Sequence, residues 1–154
     1  MNKLEKLFIK QAAETSTYII SEIGINHNGS LDTALELIYK SAEAGVDAVK
    51  FQKRDLSSIY SSHILKDSNS AEWNFEYLIP LLQELELSEK DYHVINKICK
   101  KLNLDLIITP MDETSAEFVN TLDISAFKIA SADMTNLSLI KKCASYNKPI
   151  LIST

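Results

Sequence analysis

Glycine, proline and cysteine are all scarce here: three, three and two in 154 residues. So little glycine and proline leaves no low-complexity segment or linker, and the chain reads as one ordinary globular unit with length enough for a sizeable core. Cys99 and Cys143 fall in helix-like segments without CxxC or Cys/His spacing, which reads as buried thiols rather than a redox or metal site. No apolar run approaches the roughly 20 residues of a membrane span, and Lys and Glu interrupt MNKLEKLFIKQ, so neither a span nor a signal-peptide core is expected and the cytoplasm is the expected compartment. Clustered positive charge is missing too. With a net charge of -5 and Lys interspersed with Glu, a nucleic-acid or anionic-membrane surface is excluded, and any anionic ligand must be held by a few placed cations. No GxGxxG or Walker A pattern follows a strand, which removes the main support for dinucleotide or nucleoside-triphosphate binding, and no nucleophilic triad is evident.

What is present is a set of short Ile- and Val-rich runs at 18–23, 48–51, 104–108, 126–129 and 149–152. Each is too continuous for a one-sided surface strand, so they read as central strands of a parallel sheet. Helical patterns lie between them. Leu31, Ala34, Leu35, Ile38 and Ala42 share a face, with Ser30 as N-cap, Asp32 in the first turn and Gly45 past the end. The second crossover is longer: a polar stretch RDLSSIYSSHILKDSNS, an apolar pattern through Phe75, Leu78, Ile79 and Leu82 that Pro80 should kink or restart, then a helix opening at Ser88. Compact crossovers follow at 112–122 and 136–146. Alternating strands and helices imply an α/β fold, either a small flavodoxin-like doubly wound sheet or the first five strands of an eight-stranded β/α barrel. The ending PILIST, a strand with no helix after it, looks like an interrupted unit and favours the barrel.

In both architectures ligands sit at the carboxyl ends of the strands. Glu22, Asn26, His27 and Asn28 follow the first run in YIISEIGINHNG; Lys50 and Gln52 end the second; Thr109 ends the third; Lys128, Ser131 and Asp133 follow the fourth; Ser153 ends the fifth. A Lys inside an apolar strand is costly to bury unless an anion meets it. Taken singly, Lys50 and Lys128 are more simply read as paired to a carboxylate such as Glu22, or as reaching the sheet rim. Two lysines with Thr109, Ser131 and Ser153 at equivalent strand ends instead suit a phosphate or carboxylate ligand. Glu22 is then either the structural partner of the lysines or a carboxylate that binds a hydroxylated substrate or moves a proton. Asn26, His27, Asn28 and Gly29 also fit a plain turn, and His27 alone is no metal site.

Six blocks, IISEIGINHNGSLDTALELI, AGVDAVKFQ, LELSEKD, LIITPMDETSAEFV, AFKIASADMTNLSLI and KPILIST, resemble in order and spacing the N-terminal half of the sialic acid synthases. The resemblance implies a partial TIM (β/α)₈ barrel whose first five parallel strands, with outer helices, span 18–154 after an N-terminal extension over 1–17. It implies condensation of phosphoenolpyruvate with N-acetylmannosamine or a related aldehyde sugar, releasing phosphate and forming a sialic (nonulosonic) acid. On that reading Glu22 contacts the acceptor sugar, while Lys50, Thr109, Lys128, Ser131 and Ser153 hold the phosphoenolpyruvate carboxylate and phosphate. Asp133 stands where many relatives carry Glu, as a proton-transfer or sugar-contacting group.

The resemblance also implies a divalent metal, Mn²⁺ or Mg²⁺, and a homodimer in the full-length family. The family's metal-binding histidines, further sugar contacts and a C-terminal antifreeze-like domain all fall beyond the position matching Thr154, so no metal ligand is expected in these 154 residues. The chain is accordingly expected to be truncated after strand five, and inactive by itself. The family's hairpin that plugs the barrel bottom is hard to see in MNKLEKLFIKQAAETST. The alternative is a non-catalytic remnant that still binds a phosphate- or carboxylate-bearing ligand.

Overall fold

The computed structural model describes Leu4 and residues 17–67, 69 and 75–154. Its strands are β1 (Ile20–Gly24), β2 (Ala48–Lys53), β3 (Asp105–Pro110), β4 (Ala126–Ile129) and β5 (Ile150–Ile152). Neighbours pair in parallel in the order β1-β2-β3-β4-β5. The helices are α1 (Leu31–Glu43), α2 (Leu56–Ile59), α3 (Ser62–Lys66), α4 (Phe75–Leu85), α5 (Glu89–Lys101), α6 (Glu113–Thr121) and α7 (Leu137–Ala144).

Which face the helices cover decides between the two architectures. Val49, Phe51, Leu106, Ile108, Phe127 and Ile129 form one buried cluster with Ala34, Ile38, Tyr92, Ile95, Val119 and Leu139 of the crossover helices. Alternation along the strands turns Ala48, Ile107 and Ala126 the other way, into a separate cluster with Leu4, against which Tyr18, Ile20 and Leu151 pack. A doubly wound sheet reverses its strand order and carries helices on both faces. Sequential order with the crossover helices on one face is the barrel arrangement: five parallel strands of a TIM-type (β/α) barrel.

Local signals explain where the elements begin and end. Ser30 caps α1 by accepting the Thr33 N–H, Asp32 lies in its first turn, and Gly45 takes φ +78° just past its end. Ser88 and Asp91 form a reciprocal capping box at the start of α5. The polar stretch after Lys53 folds into two short helices, α2 and α3, capped by Asp55 and Ser61. Helix α4 runs through Pro80 as one element, so the restart expected there does not occur. The missing N–H removes only a bond back to the first turn of the helix. The side chain of Phe75 and, apart from Leu4 and residue 17, the extension over 1–17 lie outside the described residues, as does the question of a plugging hairpin. Cys99 and Cys143 are free and buried, and burial pushes their thiols up to about 12 and about 11.

The amino ends of the strands are held by carboxylates. Asp105, buried at the start of β3, accepts hydrogen bonds from the Leu4 N–H at 3.0 Å, the Tyr18 hydroxyl at 2.6 Å and the Ser125 hydroxyl at 2.9 Å. Burial, and then the Asp105 carboxylate itself, hold the Tyr18 phenol far above its ordinary value. Asp47 accepts the Ile19 N–H at 2.9 Å, which sets the entry of β1.

Candidate active site

The opposite, carboxyl ends of the strands carry the polar residues. Ladder register places Glu22 opposite Lys50 and Gln52 opposite Thr109. By the two-residue period these side chains share the inner face with Ala48, Ile107 and Ala126. Lys128 and Ser153 share it too, since Ala126 and Leu151 lie two residues before them. Every strand therefore ends in at least one inward polar group.

The Lys50 ammonium lies 3.0 Å from Glu22 Oε2, but the partners differ sharply in exposure: 8% for the Lys50 side chain and 63% for that of Glu22. A buried cation faces an accessible carboxylate that is free to leave it. Lys128 donates to the Ile129 carbonyl at 3.0 Å and, in a short contact, to the Ser153 hydroxyl. Burial holds the Lys128 ammonium below the ordinary lysine value, with Glu22 raising it and Lys50 lowering it further. Two ammonium groups therefore share the field of one carboxylate, an arrangement that favours an incoming anion. Thr109 is buried, and its hydroxyl has no hydrogen-bond partner, so it is a polar group held ready at the same end.

The structure thus pairs Glu22 with Lys50 and Lys128 with Ser153, with Glu22 and Lys50 near enough for their charges to act on the Lys128 ammonium, and sets Thr109 on the strand end between β2 and β4. Ser131 and Asp133 form a single 3₁₀ turn directly after β4, at the rim of this end and outside those two pairs; Ser131 is exposed and Asp133 half-buried.

Sequence reasoning missed a second polar group beside the mouth. Arg54, buried, donates through Nη2 to Gln52 Oε1 at 2.8 Å and through Nη1 to Glu86 Oε1 at 3.3 Å. Lys53 reaches the other oxygen of Glu86 at 3.2 Å and the Arg54 carbonyl at 2.7 Å. Tyr92 donates to the Gln52 backbone carbonyl in a short contact, and burial, then Glu86, hold its phenol far above the ordinary value. Asp112, the cap of α6, accepts the Asp55 N–H at 2.7 Å and so ties the loop after β2 to the start of α6. The Arg54–Glu86 pair spans 32 residues of sequence and follows no local pattern; the only available signal was three charges, Lys53, Arg54 and Asp55, crowded after a strand.

His27 is also more than a turn residue. It is 1% exposed and stacks on Phe51 with ring centroids 5.9 Å apart. Its Nδ1 accepts the Gly29 N–H at 3.1 Å, which assigns the ring proton to Nε2. Burial, and then the charge of Arg54, hold it below the ordinary histidine value, so it is a neutral imidazole. Gly29, at φ +72°, leaves no room for a side chain: a Cβ there would sit 2.1 Å from the Glu84 carbonyl oxygen near the end of α4.

Among the described residues no group of three or more His, Cys, Asp or Glu side chains converges as a metal site. The divalent metal that the resemblance implies therefore finds no ligand set on these residues. No described helix is long and apolar enough to cross a membrane.

Comparison with known proteins bears on the family and the fold. The NeuB family model matches residues 37–154. The N,N'-diacetyllegionaminic acid synthase of Legionella pneumophila is 34% identical over 148 residues, covering 94% of this chain and 41% of that protein. The N-acetylneuraminate-9-phosphate synthase of Drosophila melanogaster is 39% identical over 141 residues, covering 90% of this chain and 38% of that one. Among solved structures, the spore coat polysaccharide biosynthesis protein SpsE of Bacillus subtilis superposes with a TM-score of 0.70 at 34% identity, covering 94% of this chain and 39% of its own. The chain spans about two fifths of the length of the relatives it matches.

Proposed function

The chain belongs to the NeuB family, and from that premise we propose that residues 18–154 are the N-terminal part of a barrel that condenses phosphoenolpyruvate with an N-acetylmannosamine-type aldehyde sugar. The observation that carries this reading is the pair of inward lysines, Lys50 and Lys128, grouped with Glu22 and Ser153 at the carboxyl end of the sheet. The named relatives are synthases of sialic-acid-type sugars, which agrees with it.

In this reading Lys50, Lys128, Thr109, Ser131 and Ser153 bind the carboxylate and phosphate of phosphoenolpyruvate. Charge-assisted bonds from the buried Lys50 and half-buried Lys128 ammonium groups fix C3 toward the mouth. Glu22, displaced from Lys50 by the incoming anion, turns to the acceptor sugar, and Asp133 at the rim contacts the sugar or moves a proton. C3 attacks the aldehyde carbon, whose oxygen takes a proton; water adds at C2; the C2–O bond breaks and phosphate leaves, giving a 2-keto acid. A divalent metal would polarise the sugar carbonyl in the whole protein, and no step assigned to these residues passes through it. The whole protein acts as a homodimer.

The test uses the protein expressed from its complete reading frame, with phosphoenolpyruvate, N-acetylmannosamine and Mn²⁺. Phosphate release matched by formation of a nonulosonic acid is the expected result. Lys50→Met raises the KM for phosphoenolpyruvate about 10- to 100-fold, the loss of one charge-assisted contact, while the sugar KM stays within about threefold. Binding of phosphoenolpyruvate without condensation of any amino sugar favours the anion-binding module instead. Equal damage to both KM values makes Lys50 structural.

A further inference from the structure

We propose that Arg54 is a positioning residue that commits the side chain of Gln52 to act as a hydrogen-bond donor at the barrel mouth; the inference rests on the acceptor-sugar reading above. A glutamine amide can turn either its oxygen or its NH₂ toward a ligand, and the two orientations cost nearly the same in water. A guanidinium only donates. With Arg54 Nη2 at 2.8 Å, the amide oxygen of Gln52 is taken, and the NH₂ must face the other way. That side is the carboxyl end of β1: a Cβ placed on Gly24, two residues past Glu22, would lie 3.7 Å from Gln52 Nε2. Gln52 also stands on the inner face, two residues beyond Lys50 and opposite Thr109.

Arg54 is itself held. Glu86 takes its Nη1 at 3.3 Å, Lys53 takes the other oxygen of Glu86, and Tyr92 fixes the Gln52 backbone carbonyl. Because the guanidinium is buried and braced from α5 and the segment before it, the amide orientation is set before any ligand arrives. The group so presented recognises an oxygen acceptor, a hydroxyl or carbonyl of the sugar, and disfavours an acceptor that offers only a donor there.

The experiment is a double-mutant cycle in the protein from the complete reading frame. Arg54→Met is chosen because Glu86 keeps Lys53 as its partner, so no acidic group is left unpaired. Arg54→Met and Gln52→Glu are each expected to raise the KM for the acceptor sugar about tenfold, the loss of one oriented hydrogen bond, with the KM for phosphoenolpyruvate changed less than twofold. The double variant is expected to be no worse than Gln52→Glu alone, because without the NH₂ Arg54 has nothing to orient. Additive losses, or equal rises in both KM values, overturn the proposal. Where Arg54→Met fails to fold, Arg54→Gln, whose amide can turn either its oxygen or its NH₂ toward Gln52, replaces it with the same expectations.

Side-chain amide NMR provides a readout independent of turnover. The Gln52 NH₂ signals are expected at fixed, well-separated positions in the unmodified protein and at averaged, random-coil positions in the Arg54 variant. Unchanged signals overturn the proposal. If the unmodified protein condenses no amino sugar, the proposed function fails, and the NMR result alone decides whether Arg54 orients Gln52.

Discussion

The two ends of the inner face use buried charge in opposite ways. At the amino ends of the strands, Asp105 is buried and fully engaged, accepting from a backbone N–H and two hydroxyls. At the carboxyl ends, Lys50 is just as buried but leans on a solvent-exposed Glu22, Lys128 is held below its ordinary value, and the Thr109 hydroxyl has no partner. One end has spent its hydrogen-bonding capacity on the fold, while the other keeps it open. In a parallel barrel that division separates stability from ligand chemistry, and here it is legible from polar satisfaction alone.

The contrast predicts unequal responses to substitution. Asp105→Ala, which removes the shared acceptor of the Leu4 N–H, the Ser125 hydroxyl and the half-buried Tyr18 phenol, is expected to cost roughly 3 kcal/mol or more in equilibrium urea unfolding. A loss under about 1 kcal/mol would erase the distinction between the ends. Lys50→Met removes a charge of equal burial, yet it strands nothing, because Glu22 is already in water. Its expected cost in the same unfolding measurement is below roughly 1 kcal/mol, despite the large rise in phosphoenolpyruvate KM predicted above. Thr109→Val should have the smallest effect on stability, within roughly 0.5 kcal/mol of the unmodified protein and on the stabilising side, since the hydroxyl it removes makes no bond. Calorimetric melting resolves that sign, and a clear destabilisation would mean that Thr109 already has a structural partner.

Much of the barrel could be read in the sequence because its central strands, β2 to β4, are buried on both faces and therefore appear as continuous apolar runs. The strand ends were less legible for a related reason. The apolar run of β2 stops at Phe51 and Gln52 reads as the end of the strand, whereas pairing continues through Lys53; that of β3 stops at Ile108 and Thr109 reads as its end, whereas pairing continues through Pro110. The polar residues that make the mouth are those that interrupt the hydrophobic pattern. At the other end, β1 begins at Ile20 rather than Tyr18, because Tyr18 is drawn to Asp105 and the Ile19 N–H to Asp47.

Within the candidate site, Glu22 and Lys50 were open to two readings, mutual partners or ligand-binding groups, and their 3.0 Å contact makes them partners without closing the second role, since Glu22 remains accessible. His27 looked like part of an Asn-Gly turn because a single residue has no period; only its stacking on Phe51 shows why it is buried. Arg54 and Glu86 lie on separate elements, and no spacing rule links them. Helices α2 and α3 were hidden by polar composition, although their capping residues, Asp55 and Ser61, were there to be read.

The contact between Gly29 and Glu84 has a mechanical meaning. Where a backbone carbonyl occupies the space of a missing methyl group, the loop after β1 and the end of α4 touch without slack. Glu86, just beyond that end, grips Lys53, the last residue of β2, and Arg54 after it. The three segments form a closed linkage, so the end of α4 cannot swing outward without pulling on both loops, and the walls carrying Glu22 and Gln52 must move together or not at all.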